Sequence, residues 1–167
     1  MFLSDSSEYL CPICKEGKLI FRDYCKRIVK HEGGEAETIL IPRHRCGNPR
    51  CKKLHRMLPD FLVPFKHYTE DVISDAVSDR LDINKTNDEP SVPAILRWKR
   101  WISLNTDDIN GHLRSIGHRE LGFSEELLRS SVSLLNKLMD SVPQGWLRTI
   151  LRLIYNSGAF LVPVYSI

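Results

Sequence analysis

Glycine and proline are sparse, nine of each in 167 residues. That scarcity excludes a collagen-like or wholly disordered polymer, and the 42% of apolar residues leaves material for one domain or two small ones. Long apolar runs are missing. The most apolar stretch, residues 150–167, is broken by Arg152, Asn156, Ser157 and Pro163 and falls short of a bilayer span. The start, Met1-Phe2-Leu3-Ser4-Asp5, lacks a basic segment leading into an apolar one. The expectation is a chain without secretory leader or membrane anchor, working in the cytoplasm. No G-x-S-x-G, H-E-x-x-H or Gly-rich phosphate loop occurs, and the net charge is only +3.

The distribution of that charge says more. Residues 1–68 carry 13 Lys and Arg against 8 Asp and Glu, whereas residues 69–167 carry 11 against 13. Four of the six histidines also lie in the first part. A basic N-terminal part attracts polyanions, and the remainder reads as an ordinary solvated protein.

Five cysteines stand out, at 11, 14, 25, 46 and 51. Cys11-Pro12-Ile13-Cys14 is a C-x2-C knuckle and Cys46-Gly47-Asn48-Pro49-Arg50-Cys51 a C-x4-C knuckle. Such Pro- or Gly-containing turns let two thiolates converge on one tetrahedral centre. Between them, residues 18–24 and 38–45 are rich in Ile, Leu, Phe and Thr, and Gly33-Gly34 supplies a turn, which predicts a β-ribbon. Cys11, Cys14, Cys46 and Cys51 are therefore read as ligands of one structural Zn²⁺, with no coordination position open for a catalytic water. The competing readings are two chance pairs of reduced thiols and a disulfide framework. The odd count and the absence of an export signal disfavour the second. Cys25 pairs with neither knuckle by spacing and reads as a small half-buried residue. His44 and His55 flank the second knuckle, where either could substitute as a ligand.

From Arg43 to Arg56 there are six cations (Arg43, Arg45, Arg50, Lys52, Lys53, Arg56) and no acid. The strip suits phosphate contacts, although solvated ribbons also carry such residues. Residues 58–65 are apolar but interrupted by two prolines, an extended connector. Thr69 then starts a helix expected over 69–81, with Glu70 and Asp71 in its first turn. After a polar turn at 82–90, Ser91 caps a second helix through Ile102. Its Ile95, Trp98 and Ile102 share one face, and Arg97, Lys99 and Arg100 cluster on the rest. The pair matches a helix-turn-helix whose second helix enters the major groove, with Ser91, Val92, Arg97, Lys99 and Arg100 near DNA. The same pattern also fits an amphipathic surface helix, with Trp98 and Trp101 as core anchors rather than stacking platforms.

The succession CPIC…RCGNPRC…HRMLPDFLVPFKHYTEDVI…PSVPAILRWKRWI, over about residues 8–104, resembles an uncharacterised family encoded by Gram-positive bacteria, often near mobile elements. That family is itself similar to the N-terminal DNA-binding region of insertion-sequence transposases, a zinc ribbon followed by a helix-turn-helix. The resemblance implies that Cys11, Cys14, Cys46 and Cys51 bind zinc and that the 91–101 helix contacts DNA.

Beyond residue 104 the chain reads as helical. A short helix is expected from Asp107 to Leu113, with Gly117 and Gly122 as punctuation. A longer one follows from Ser124, with a seam of Leu128, Val132, Leu135, Met139 and Val142 that serves internal packing or a dimer. A further helix is expected at 146–155, and then an apolar tail, 159–167, that finishes the core or meets a partner. Transposase nuclease cores place three carboxylates on a sheet and need roughly 100–150 residues. Only 63 residues follow position 104, and their acids sit mostly at helix starts, so no enzyme is expected.

The expected organisation is α+β: a four-cysteine zinc β-ribbon (8–57), a connector (58–68), a helix-turn-helix (69–104) and a C-terminal helical bundle (105–167). The expected function is zinc-dependent binding of duplex DNA, nucleoid-associated when bound, as an accessory or regulatory factor of a mobile element. The alternative is a zinc-stabilised protein-interaction adaptor using the C-terminal helices; RNA binding would need exposed aromatics such as Phe21 and Tyr24.

Overall fold

The computed structural model describes residue 2, residues 9–81 and residues 90–163. Alternating side chains after the first knuckle form β1 (Leu19–Lys30), which pairs antiparallel with β2 (Ala36–Cys46). Leu19 faces Cys46 at one end and Lys30 faces Ala36 at the other, with a bulge between Phe21 and Asp23. Gly33 and Gly34 both take positive φ in the connecting turn, where a side chain would be strained. The strands outrun the expected 18–24 and 38–45. Val29 and Ile41 are drawn into the core of the helical body, so pairing continues well past Tyr24. A short third strand, β3 (Leu54–Arg56), folds back on β2 with Arg43 opposite Arg56 and Arg45 opposite Leu54. The sheet order is β1-β2-β3.

The connector is more than a spacer. The Lys30 N–H donates to the His67 carbonyl (2.8 Å) and the Thr69 N–H to the Lys30 carbonyl (3.0 Å), so the chain runs along the outer edge of β1. Arg27 donates to the carbonyls of Val63 and Lys66, the second at 2.6 Å. Phe65 takes a left-handed conformation (φ +62°) at this turn.

Thr69 occupies the N-cap of α1 (Glu70–Val77), as expected, but the helix closes before residue 81, where Asp79 turns left-handed at φ +57°. Of the expected turn at 82–90, residues 82–89 lie outside the described residues. Next come α2 (Val92–Leu104), with Pro93 tolerated in its first turn, and α3 (Thr106–Leu121). The short helix expected from Asp107 to Leu113 in fact continues through Gly111 and Gly117. Two helical glycines cost roughly 1 kcal/mol each, less than burial of Ile109 and Leu113 on the inner face restores.

The longer helix expected from Ser124 is two: α4 (Glu125–Arg129) and α5 (Leu134–Ser141). Ser130 Oγ donates back to the Leu127 carbonyl (2.7 Å), and Ser133 Oγ accepts the Asn136 N–H (3.3 Å). The serines thus end one helix and cap the next, so the expected seam is interrupted. Its neighbours Leu134 and Leu138, with Leu135, are buried inside the molecule. The last helix is α6 (Trp146–Ser157), closed by Gly158 at φ +96°.

A continuous apolar cluster joins Val29 and Ile41 of the ribbon to Ile73, Trp98, Trp101, Leu113, Leu147, Ile154 and Leu161. In the tail, Asn105 donates to the Val162 carbonyl (3.0 Å) and accepts the Val162 N–H (2.7 Å), which seats Leu161 in the core. The tail beyond residue 163 lies outside the described residues. The architecture is α+β, and no helix among the described residues is long and apolar enough to cross a membrane.

Candidate metal centre

Each knuckle is a tight turn that ends on a residue in the left-handed region: Lys15 (φ 61°) just after Cys14, and Lys52 (φ 50°) just after Cys51. The turns are tied by Lys15 N–H to the Cys11 carbonyl (2.8 Å) and by Lys52 N–H to the Asn48 carbonyl (3.0 Å). Pairing of Leu19 with Cys46, and of the Gly47 N–H with the Lys18 carbonyl (2.9 Å), then lays one knuckle over the other.

The result gathers the four expected sulfurs. One ligand atom from each of Cys11, Cys14, Cys46 and Cys51 lies within 4.8 Å of every other. Cys11 and Cys51 approach to 3.8 Å, and Cys14 and Cys46 to 3.6 Å. A tetrahedron with metal–sulfur bonds of about 2.3 Å has edges of about 3.8 Å, so the cluster fits a four-thiolate ion and can hold one metal. All five cysteines are unbridged, and Cys25 lies half-buried on β1 away from the cluster.

Backbone donors prepare the sulfurs unequally. The N–H groups of Glu16 and Gly17 bring the Cys14 thiol down to about 6. Burial pushes Cys46 up to about 12, against the opposing N–H of Asn48. Cys51 stays above its ordinary value despite the Lys53 N–H, because burial and the Cys11 sulfur outweigh that donor. A metal-free cluster therefore carries protons that a cation must displace.

Two neighbours complete the site, one flagged by the sequence in another role and one that it did not mark. His55, considered as a substitute ligand, sits with Nε2 3.3 Å from Cys11 Sγ, within reach of an N–H···S bond. Burial holds its imidazole below its ordinary value. Such a neighbour orients and tunes a ligand. Gly17 is the second: a Cβ there would stand 2.3 Å from Cys46 Sγ and 2.9 Å from the Asn48 backbone nitrogen. Its position three residues after Cys14 was the available signal. His44 instead packs edge-on against Phe21 (5.7 Å).

The cations of the strip divide. Arg45, Arg50, Lys52, Lys53 and Arg56 are exposed around the second knuckle and β3. Arg43 is held by Asp23 through two hydrogen bonds across the β1–β2 pair. On α2, Ser91, Val92, Arg97 and Arg100 are exposed, Lys99 pairs with Asp79, and Trp98 and Trp101 are buried. The acids of α1 do not all face solvent: Glu70 is buried, and its carboxylate accepts the Arg148 N–H (3.1 Å) at the start of α6.

No curated protein and no solved structure matches the chain. Residues 11–98 match a family described as Domain of unknown function (DUF6431). The matched segment opens on the first ligand of the sulfur cluster and runs through the ribbon, the connector and α1 to Trp98 of α2. It spans more than half of the chain, which belongs to the DUF6431 family.

Proposed function

We propose that this chain is a zinc-dependent binder of duplex DNA, acting by binding rather than catalysis as an accessory or regulatory factor of a mobile genetic element. One observation carries the reading: five exposed cations, Arg45, Arg50, Lys52, Lys53 and Arg56, surround a knuckle that supplies two of the four clustered sulfurs. Zinc is the ion that four thiolates in a tetrahedral set favour. The metal stiffens the turn, and the turn displays the charges at fixed spacing toward phosphates. Under this reading α2 approaches the major groove with Ser91, Val92 and Arg100, Arg97 reaches the phosphate backbone, and Lys99 steadies the helix against Asp79. Arg43 keeps the ribbon in register through Asp23.

The test is fluorescence anisotropy of the zinc-loaded chain on random duplex DNA across a salt series. Five phosphate contacts give a slope of about −4.5 in log K against log salt, a loss of roughly 500-fold between 50 and 200 mM. Absence of binding at 50 mM salt overturns the proposal.

A second reading, the protein-interaction adaptor, is favoured by a different observation. Val92, Leu96 and Leu104 are all at least 58% exposed on one side of α2, an apolar stripe around Arg100. It predicts negligible DNA affinity, and retention of a protein partner that Leu96→Ser with Leu104→Ser abolishes.

A further inference from the structure

At the end of the ribbon away from the sulfur cluster, a cleft of about 310 Å³ opens where the end of β1, the connector and the start of α2 meet. Its cations are Lys30, Lys66 and Arg97, with the His67 imidazole among them, and no carboxylate lines it among the described residues. Aromatic faces, rather than acids, hold two of these cations. Lys30 Nζ lies 5.4 Å from the Tyr68 ring centroid, and Lys66 Nζ lies 4.7 Å from that of Trp101. No ion pair of Lys30, Lys66 or Arg97 occurs among the described residues.

The backbone makes this convergence obligatory. The connector is hydrogen-bonded to Lys30 from both sides, Arg27 grips its turn, and Tyr68 packs edge-on against Trp98 at 5.2 Å. Like charges crowd as a result: burial and the neighbouring Arg97 hold the Lys66 amine below its ordinary value. An arrangement of unneutralised cations on rigid supports is stabilised by an oxyanion. A smaller adjoining cavity shares Phe65, Lys66 and His67 and reaches Arg27 and Arg56. The basic surface therefore runs from the second knuckle, along the connector, to α2.

We infer that this cleft receives a phosphodiester group of the nucleic-acid backbone, so that one strand is gripped at the knuckle, at Lys30 and Lys66, and at the start of α2. The inference rests on the DNA-binding reading above and adds to it a third contact, in which Lys30 and Lys66, which the sequence pattern did not mark, join Arg97, which it did.

The test compares the full zinc-loaded chain with Lys30→Gln/Arg97→Gln, two changes outside the core, on two unrelated duplexes. Loss of two contacts makes the salt slope shallower by about 1.8 and weakens binding roughly 10–100-fold at 0.1 M salt, equally for both sequences. The charge-preserving pair Lys30→Arg/Arg97→Lys retains the slope, which separates charge from any effect on folding. Inorganic phosphate, titrated without DNA, changes the tryptophan fluorescence of the wild-type chain and not of the glutamine variant. Wild-type binding with an unchanged slope in the glutamine variant overturns the cleft alone. A wild-type chain that binds no DNA overturns the earlier reading, and this one with it.

Discussion

Single residues decide whether the sulfur cluster closes. Gly17→Ala puts a methyl group where Cys46 Sγ and the Asn48 backbone already stand, and backbone cannot move aside as a flexible side chain can. Metal affinity is expected to fall at least about 10-fold, the scale of losses around metal ligands, as read by competition with a chromogenic chelator. Affinity also depends on pH in a defined direction. Cys46 and Cys51 are raised, so they hold protons near neutrality and release them to a binding cation. These two protons alone make affinity rise by at least about 100-fold per pH unit near neutrality, falling again as acid returns them. An affinity flat between pH 6.5 and 7.5 contradicts that assignment. The cluster's four members were legible from spacing, because the chemistry of a thiolate knuckle is local. The role of His55 toward Cys11, and Gly17 altogether, were not, because both depend on which strands lie across from them.

Among the elements, the ribbon depends on its two ends differently. Its knuckle end carries the sulfur cluster, and its middle and far end are held by Ile41 and Val29 inside the shared core. Ile41→Ala, at a residue 1% exposed, is expected to cost about 2–5 kcal/mol in denaturant unfolding of the metal-loaded chain. The cap between α4 and α5 carries a smaller share. Ser133→Ala removes the acceptor for Asn136 and is expected to cost about 1 kcal/mol in the same assay. The paired strands, α2 and α6 were legible because their apolar periodicity is strong and their boundaries carry Gly, Pro or Ser. The break at Ser130–Ser133 was hidden by a heptad-like run of leucines that continues on both sides of it. α3 was truncated in the reading because glycine normally stops a helix, and nothing local reveals that Asn110 accepts the Leu135 N–H at 2.9 Å. β3, with three residues, has no period to read.

For the molecule as a whole, the joined core implies a divided response to metal removal. The helical body holds most buried side chains, whereas the knuckles have turn hydrogen bonds and a sulfur cluster that can hold a metal, with few buried apolar side chains. Chelation is expected to make all five thiols react with Ellman's reagent while the helical circular-dichroism signal largely persists. A collapse of that signal would show that the ion supports the body as well. One contact ties the two together. Gly158, at the end of α6, lies so near Pro12 that a Cβ would meet its carbonyl oxygen at 2.4 Å, and Lys15 reaches the Ser157 carbonyl at 2.7 Å. The first knuckle is thus the floor on which the last helix ends. Removing a metal held by the cluster is expected to loosen that floor and to open the peptide bonds just after Gly158 to a protease, as limited digestion with and without chelator would show. Metal status would then set the lifetime of the protein as well as its grip.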